Sequence, residues 1–157
     1  MSITYVKGDL FSTPHNVLVH GCNTHGVMGS GVAKIVKDKY PEVFEKYAQV
    51  CKPWKNNRAI LLGTNVYART QNDQRVIVNA ITQLDMGPPP TRWVSYDAVD
   101  DCMAALANDL EASFEHGLGA AIAMPMIGAG LGGGDWKVIE AIIERRLKDF
   151  AVTVYVL

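Results

Sequence analysis

The stretch Ala120-Ala-Ile-Ala-Met-Pro-Met-Ile-Gly-Ala-Gly-Leu-Gly-Gly-Gly-Asp-Trp136 decides the fold. It reads as a buried strand from Gly119 to Met124, a loop, and a helix that begins at about Asp135. Five of the seven residues from Gly128 to Gly134 are glycine. Glycine admits positive φ and close approach to the backbone, at a cost in folding entropy. A strand, a glycine-rich loop and a helix N-terminus together form an anion site, with backbone N–H groups turned outward and the helix dipole adding positive potential. The expectation is a phosphate-bearing ligand cradled here; the alternative is a tight connection with no ligand. Gly128-Ala-Gly130-Leu-Gly-Gly133 matches G-x-G-x-x-G in form only. A dinucleotide fingerprint belongs early, in a βαβ unit with an acid ending the next strand, and Asp149 precedes the last strand instead. No Gly-Lys-Ser/Thr follows, so a Walker A loop is excluded as well.

The same device occurs a second time. Asn16 to His20 is a short apolar strand. It runs into His20-Gly-Cys-Asn-Thr-His-Gly-Val-Met-Gly-Ser-Gly31 and then into a helix with Val32, Ile35, Val36 and Tyr40, for which Ser30 is a fitting N-cap. Two such loops in one small domain can hold both ends of an extended anionic ligand. The first loop also carries the side chains suited to chemistry. His20 and His25 can act as general acid, general base or nucleophile; the alternatives are a histidine satisfied near a strand end and a solvated loop residue. Asn23 can bind a sugar hydroxyl or serve as a turn residue.

Outward from these loops, Ile3–Lys7 alternates as a strand ending at Asp9, where an acid can meet a ligand or cap a turn. Pro41 starts a helix through Cys51. Ala59–Leu62 and Asn65–Arg69 read as one bent strand or two short ones, and Arg75–Thr82 as a strong strand. Thr82–Trp93 holds three consecutive prolines and reads as a surface crossing, the alternative being a semi-rigid loop beside the site. Val94–His116 is a long amphipathic helix, with Phe114 closing its apolar stripe. Val138, Ile139, Ile142, Ile143 and Leu147 stripe the last helix. Ala151–Leu157 closes the chain as a strand, half-exposed at an edge by its alternation. Interleaved strands and helices imply an α/β fold, a three-layer α/β/α domain with a mixed central sheet, formed as one domain by residues 1–157.

The composition, 48% hydrophobic and 20% charged, is that of a soluble globular chain, and a net charge of −1 gives no reason to expect nucleic acid or a membrane as partner. Cys22, Cys51 and Cys102 are odd in number and widely spaced, which fits reduced thiols in a cytoplasmic setting. No secretory pattern, apolar run of membrane-spanning length or metal-ligand cluster is read from the sequence, and no cofactor is expected.

Taken in order, Ile3-Thr-Tyr-Val-Lys-Gly-Asp-Leu10, His20-Gly-Cys-Asn23 with Gly29-Ser-Gly31, Met124-Pro-Met-Ile-Gly-Ala-Gly-Leu131 with Trp136, and Thr153-Val-Tyr-Val-Leu157 resemble a macro domain across essentially the whole chain. The resemblance implies ADP-ribose or a derivative as ligand. Asp9, beside Leu10, would accept from the adenine amino group. Asn23 and Gly29, Ser30 and Gly31, with Val32, would hold the distal ribose. Ile127, Gly128, Ala129, Gly130, Leu131 and Gly132 would wrap the diphosphate. The His-x-Cys-Asn sequence, Tyr40-Pro-Glu and Tyr47-Ala-Gln-Val-Cys51 look like the branch of stand-alone ADP-ribose 1''-phosphate phosphatases. That branch implies a monomeric, metal-independent enzyme acting on ADP-ribose 1''-phosphate. His20 would be nucleophile or acid/base, Asn23 would orient the ribose, and Asp135 would either position water or cap the last helix. A related glycohydrolase branch uses a lysine and an aspartate where this chain has Gln83 and Gly132. A deacylase or glycohydrolase acting on O-acetyl-ADP-ribose or ADP-ribosylated protein, and a non-catalytic ADP-ribose-binding module, are the alternatives.

Overall fold

The computed structural model describes residues 3–88, 90–113 and 120–157. The expected helix end from Phe114 to His116 and the expected strand start at Gly119 lie outside them. The strands are β1 (Ile3–Lys7), β2 (Val17–Asn23), β3 (Asn65–Arg69), β4 (Val76–Gln83), β5 (Ala121–Met124) and β6 (Ala151–Val156). The helices are α1 (Gly31–Lys39), α2 (Pro41–Cys51), α3 (Tyr96–Ser113) and α4 (Trp136–Arg146), with short 3₁₀ turns at Leu10–Ser12, Lys52–Trp54 and Arg58–Leu61. The sheet has six strands in the order β1-β6-β5-β2-β4-β3. It is mixed, because β3 runs antiparallel to β4 while the other pairs are parallel.

The central strands are mostly apolar because both sheet faces are covered. Val17 and Val19 of β2 join a core with Val99, Met103 and Leu106 of α3 and Ile139 and Ile143 of α4. Leu18 and Cys22, one residue out of phase, join a second core with Val36 of α1 and Val43 and Tyr47 of α2. This is the three-layer α/β/α arrangement. α3 starts after Val94, since Ser95 Oγ accepts from Ala98 N at 3.1 Å and so caps it.

The structure corrects several sequence expectations. β2 does not end at His20 but runs on to Asn23, paired with β4 throughout. Residues 58–61 form a 3₁₀ turn rather than a strand. Pairing with β4 starts only beyond it, where Gly63 N donates to the Ile81 carbonyl at 2.8 Å and Ile81 N to the Thr64 carbonyl at 2.9 Å. β6 is no edge strand: it lies between β1 and β5, and its alternation reflects one face, with Ala151, Thr153 and Tyr155, that is less covered than the other. The segment after β4 is more than a surface crossing. The N–H groups of Trp93 and Val94 both donate to the Gly132 carbonyl, at 2.8 and 3.0 Å, and clamp the segment to the glycine loop.

α3 and α4 are joined by a charged clamp. Asp100 accepts from Arg146 Nε at 2.7 Å and from Arg145 Nη2 at 2.9 Å. Arg146, then Arg145, holds the Asp100 carboxyl down at about 2. That value lies below the roughly 3.9 of an unfolded chain. The clamp's contribution is therefore fully present above about pH 4 and is lost as pH falls toward about 2. Asp100→Asn is expected to flatten the fall in Tm between about pH 4 and 2, relative to the unsubstituted protein, in thermal melts across that range.

Candidate ligand-binding cleft

β2, β5 and β4 end side by side, and a cleft of about 610 Å³ opens above their C-terminal ends. Parallel sheets place their ligands at such ends. A smaller lobe of about 220 Å³ lies over the ends of β1 and β6. Val32, Pro125 and Met126 line both, so the two form one bent cleft.

One wall is the loop into α1. Ser30 is the N-cap by its extended backbone but makes no side-chain cap, and the first turn holds no acidic residue. The first-turn N–H groups of Gly31, Val32 and Ala33 therefore have no partner within the helix, and all three residues line the cleft. The helix dipole adds about half a positive charge there.

The facing wall is the loop from Ile127 to Gly134. Alternate carbonyls along residues 126–132 are used inside the protein. The Met126 oxygen accepts from Ala129 N, the Gly128 oxygen from Gly134 N, the Gly130 oxygen from Gly133 N and the Gly132 oxygen from Trp93 and Val94. The N–H groups of Gly128, Gly130, Leu131 and Gly132 have no acceptor among the described residues, and these four residues line the cleft. Gly128 and Gly133 have positive φ, +73° and +71°. A Cβ on Gly134 would lie 2.6 Å from Val94 Cγ1. Gly29 and Gly130 are different, because a Cβ on either would meet no protein atom within 4 Å. Neither has a positive φ. The fold does not require glycine there, whereas a ligand lying against the backbone would. The walls meet where Leu131, 59% exposed, reaches toward Gly31.

The second loop departs from the sequence expectation in one respect. The α4 N-terminus is filled by the protein's own carboxylate. Asp135 Oδ1 accepts from Lys137 N at 3.0 Å, and Asp135 is not among the residues lining the cleft. Of the two roles open to Asp135, the structure shows the cap. The anion-binding capacity of this wall is the loop backbone alone.

His20 is 1% exposed. Its Nε2 lies 2.6 Å from Asn79 Oδ1, and Asn79 Nδ2 donates to the Val66 carbonyl at 3.0 Å. Asn79 therefore presents an acceptor, and His20 carries its proton on Nε2. Burial pushes its pKa down to about 4, so the ring is neutral near pH 7. Because β2 continues past it, His20 sits mid-strand in the floor of the cleft, on the α1–α2 side with Leu18 and Cys22. The ring thus borders the cleft, where the sequence expectation puts it, but almost wholly buried and with Nε2 held by Asn79. Burial likewise pushes the Cys22 thiol well up.

Asn23 does line the cleft. Its Oδ1 accepts from His25 N at 2.9 Å and its Nδ2 donates to the Val27 carbonyl at 3.0 Å, closing the turn. Tyr47 Oη donates to the Asn23 carbonyl at 2.5 Å and fixes it from below. One amide proton of Asn23 is left for a ligand. His25 faces Asp85, with Nε2 2.7 Å from Oδ1. In the small lobe, Asp9 caps the Leu10–Ser12 turn through Phe11 N at 3.0 Å. Leu10, Phe11 and Tyr155 line the same lobe, an apolar slot with one carboxylate at its edge.

The structure thus gathers Asp9, Leu10, His20, Asn23, Gly29, Ser30, Gly31, Val32, Ile127, Gly128, Gly130, Leu131 and Gly132 along one cleft, with His20 almost wholly buried in its floor, and leaves Ala129 and Asp135 outside. Sequence reasoning missed Gly21, Thr82, Met86 and Gly87, which also line it. No stretch of sequence signals Thr82, whose place at the cleft depends on the pairing of β4 with β2. Among the described residues, no lysine, arginine or carboxylate lines the large lobe. Its chemistry is that of backbone N–H groups, suited to phosphoryl oxygens.

The macro domain model matches residues 19–143, which span both loops. The chain belongs to the macro domain family. It is 30% identical to the ADP-ribose 1''-phosphate phosphatase of Lodderomyces elongisporus, over 100% of this chain and 99% of that protein. It is also 30% identical to the DNA ADP-ribosyl glycohydrolase of Mycobacterium bovis, over 98% of this chain and 42% of the relative. Thermosipho africanus DarTG, solved in complex with ADP-ribose, shares the fold with a TM-score of 0.78 at 22% identity, over 98% of this chain and 41% of that one. Macro domain relatives thus divide between two ADP-ribose-processing activities.

The two kinds of glycine separate experimentally. Gly134→Ala is expected to lower stability by about 1–3 kcal/mol, because the new methyl overlaps Val94 and the Gly128 carbonyl. Gly130→Val is expected to leave stability within about 0.5 kcal/mol of the parent, since its side chain enters open space. Urea denaturation of both variants checks the contrast.

Proposed function

We propose that this macro domain binds ADP-ribose along the bent cleft and hydrolyses ADP-ribose 1''-phosphate to ADP-ribose and inorganic phosphate. The observation that carries the reading is the pair of facing walls whose partnerless N–H groups point to one extended, doubly anionic ligand. The small lobe suits the adenine, with Asp9 accepting from its amino group beside Leu10, Phe11 and Tyr155. The diphosphate lies between the α1 N-terminus and residues 127–132. The distal ribose reaches Asn23, Gly29 and Ser30, and its 1''-phosphate lies at the far end of the large lobe. There, attack of water on phosphorus breaks the bond to the ribosyl oxygen, and preorganised N–H groups stabilise the charge that develops on the phosphoryl oxygens. Asn23 orients the ribose. The similarity to a phosphatase over the full length of both chains supports this choice. Gln83, at the position of the lysine in the related glycohydrolase branch, donates its amide to the Asp85 carbonyl at 2.9 Å and offers no amine for an adduct.

The test incubates the protein with ADP-ribose 1''-phosphate and follows free phosphate, with ADP-ribose affinity measured by calorimetry on the same sample. Phosphate release by the parent is expected, with ADP-ribose binding lost in Gly130→Val although that variant folds. ADP-ribose binding without phosphate release would overturn the phosphatase reading, and removal of ADP-ribose from modified DNA or protein would replace it.

A further inference from the structure

β4 carries one residue more than β2 where the two reach the cleft. Gly21 pairs with Ala80, Cys22 with Ile81 and Asn23 with Gln83, so Thr82 is left without a partner across the strands. Such a bulge re-aims a side chain, and bulges recur beside functional sites. Thr82 is 1% exposed. Its carbonyl is used, accepting from Ser95 N at 2.8 Å. Its hydroxyl is not. Among the described residues, the buried side-chain polar atoms without a partner are Arg58 Nε, Asn65 Oδ1, Thr82 Oγ1 and Glu144 Oε1, and of these residues only Thr82 lines the large lobe.

The neighbourhood explains what the hydroxyl waits for. Gly21 lines the same floor, and a Cβ there would lie 3.1 Å from Thr82 Oγ1 and 4.0 Å from Gly128 N. The missing side chain of Gly21 therefore leaves a gap with a hydroxyl on one side and the partnerless Gly128 N–H on the other. A buried hydroxyl with no hydrogen bond destabilises a fold unless something supplies the bond. Here the opening of that gap is the cleft.

We propose that Thr82 is a ligand-contacting residue: its hydroxyl, paired with the Gly128 N–H across the gap at Gly21, hydrogen-bonds a phosphoryl or sugar oxygen of the bound ligand. The inference rests on the proposed ADP-ribose binding and adds to it a side-chain contact at the cleft floor. A hydroxyl can donate to a phosphoryl oxygen or exchange both roles with a ribose hydroxyl. It supplies this bond from a strand, held rigid by the sheet, whereas the N–H groups come from loops.

The experiment measures ADP-ribose affinity by calorimetry and Tm without ligand for the parent, Thr82→Val and Thr82→Ser. Valine keeps the shape and removes the hydroxyl; serine keeps the hydroxyl. The expected result is a five- to tenfold weaker Kd for Thr82→Val, about one hydrogen bond's worth. Its Tm should be unchanged or raised, because an unsatisfied polar group has been removed. Thr82→Ser should bind within about twofold of the parent. Parental affinity in Thr82→Val, or an affinity loss that Thr82→Ser shares or that tracks a lowered Tm, would overturn the inference while leaving the ADP-ribose reading intact. A parent that binds no ADP-ribose would overturn both.

Discussion

The cleft depends on where the carbonyls of residues 126–132 go. A backbone loop has as many acceptors as donors, and a loop with both facing outward attracts no anion. Here Gly132 O is held by two N–H groups at the entrance to α3, and Gly128 O by Gly134 N. With alternate acceptors taken up inside the protein, donors are left for the cleft. The clamp explains why the glycines sit so densely. Gly128, Gly133 and Gly134 permit the tight fold that buries the oxygens, and Gly130 leaves room for what lies outside. It also ties Trp93 and Val94, at the entrance to α3, to the glycine loop.

The two walls reach the same electrostatic end by different means. The first uses an uncapped helix N-terminus, Gly31 to Ala33, where fixed dipoles stand in for charge. The second uses loop donors alone, because Asp135 has taken the N-terminus of α4. Among the described residues, no lysine or arginine lines the large lobe. A lysine or arginine would hold a phosphate through a flexible point charge; fixed N–H groups read its geometry instead. This accounts for a chain of net charge −1 with a site built for an anion. Overall charge is no guide to a pocket whose donors are main-chain atoms.

Much of this was legible in the sequence. The two glycine loops, the flanking elements and the three-layer mixed sheet followed from composition and periodicity, since each apolar stripe matches a layer. What failed turned on register and pairing, which depend on neighbours. His20 looks like a residue leaving a strand, and only the continued pairing of β2 with β4 shows it mid-strand and bound to Asn79. Residues 58–61 are apolar enough for a strand, yet their pairing with β4 begins too late. β6 alternates like an edge strand although β1 covers its flank. Thr82 carries no motif at all. Its role emerges only when one residue too many is counted against its partner strand, something no single stretch of sequence reveals.

The account's central claim is that two separate rows of main-chain N–H groups act on one ligand. Amide chemical shifts on titration with ADP-ribose test it most directly. The account predicts that Gly31, Val32 and Ala33 shift together with Gly128, Gly130, Leu131 and Gly132, along one saturation curve, while the amide of Lys137, capped by Asp135, moves little. Shifts confined to one wall, or centred away from both loops, would contradict it.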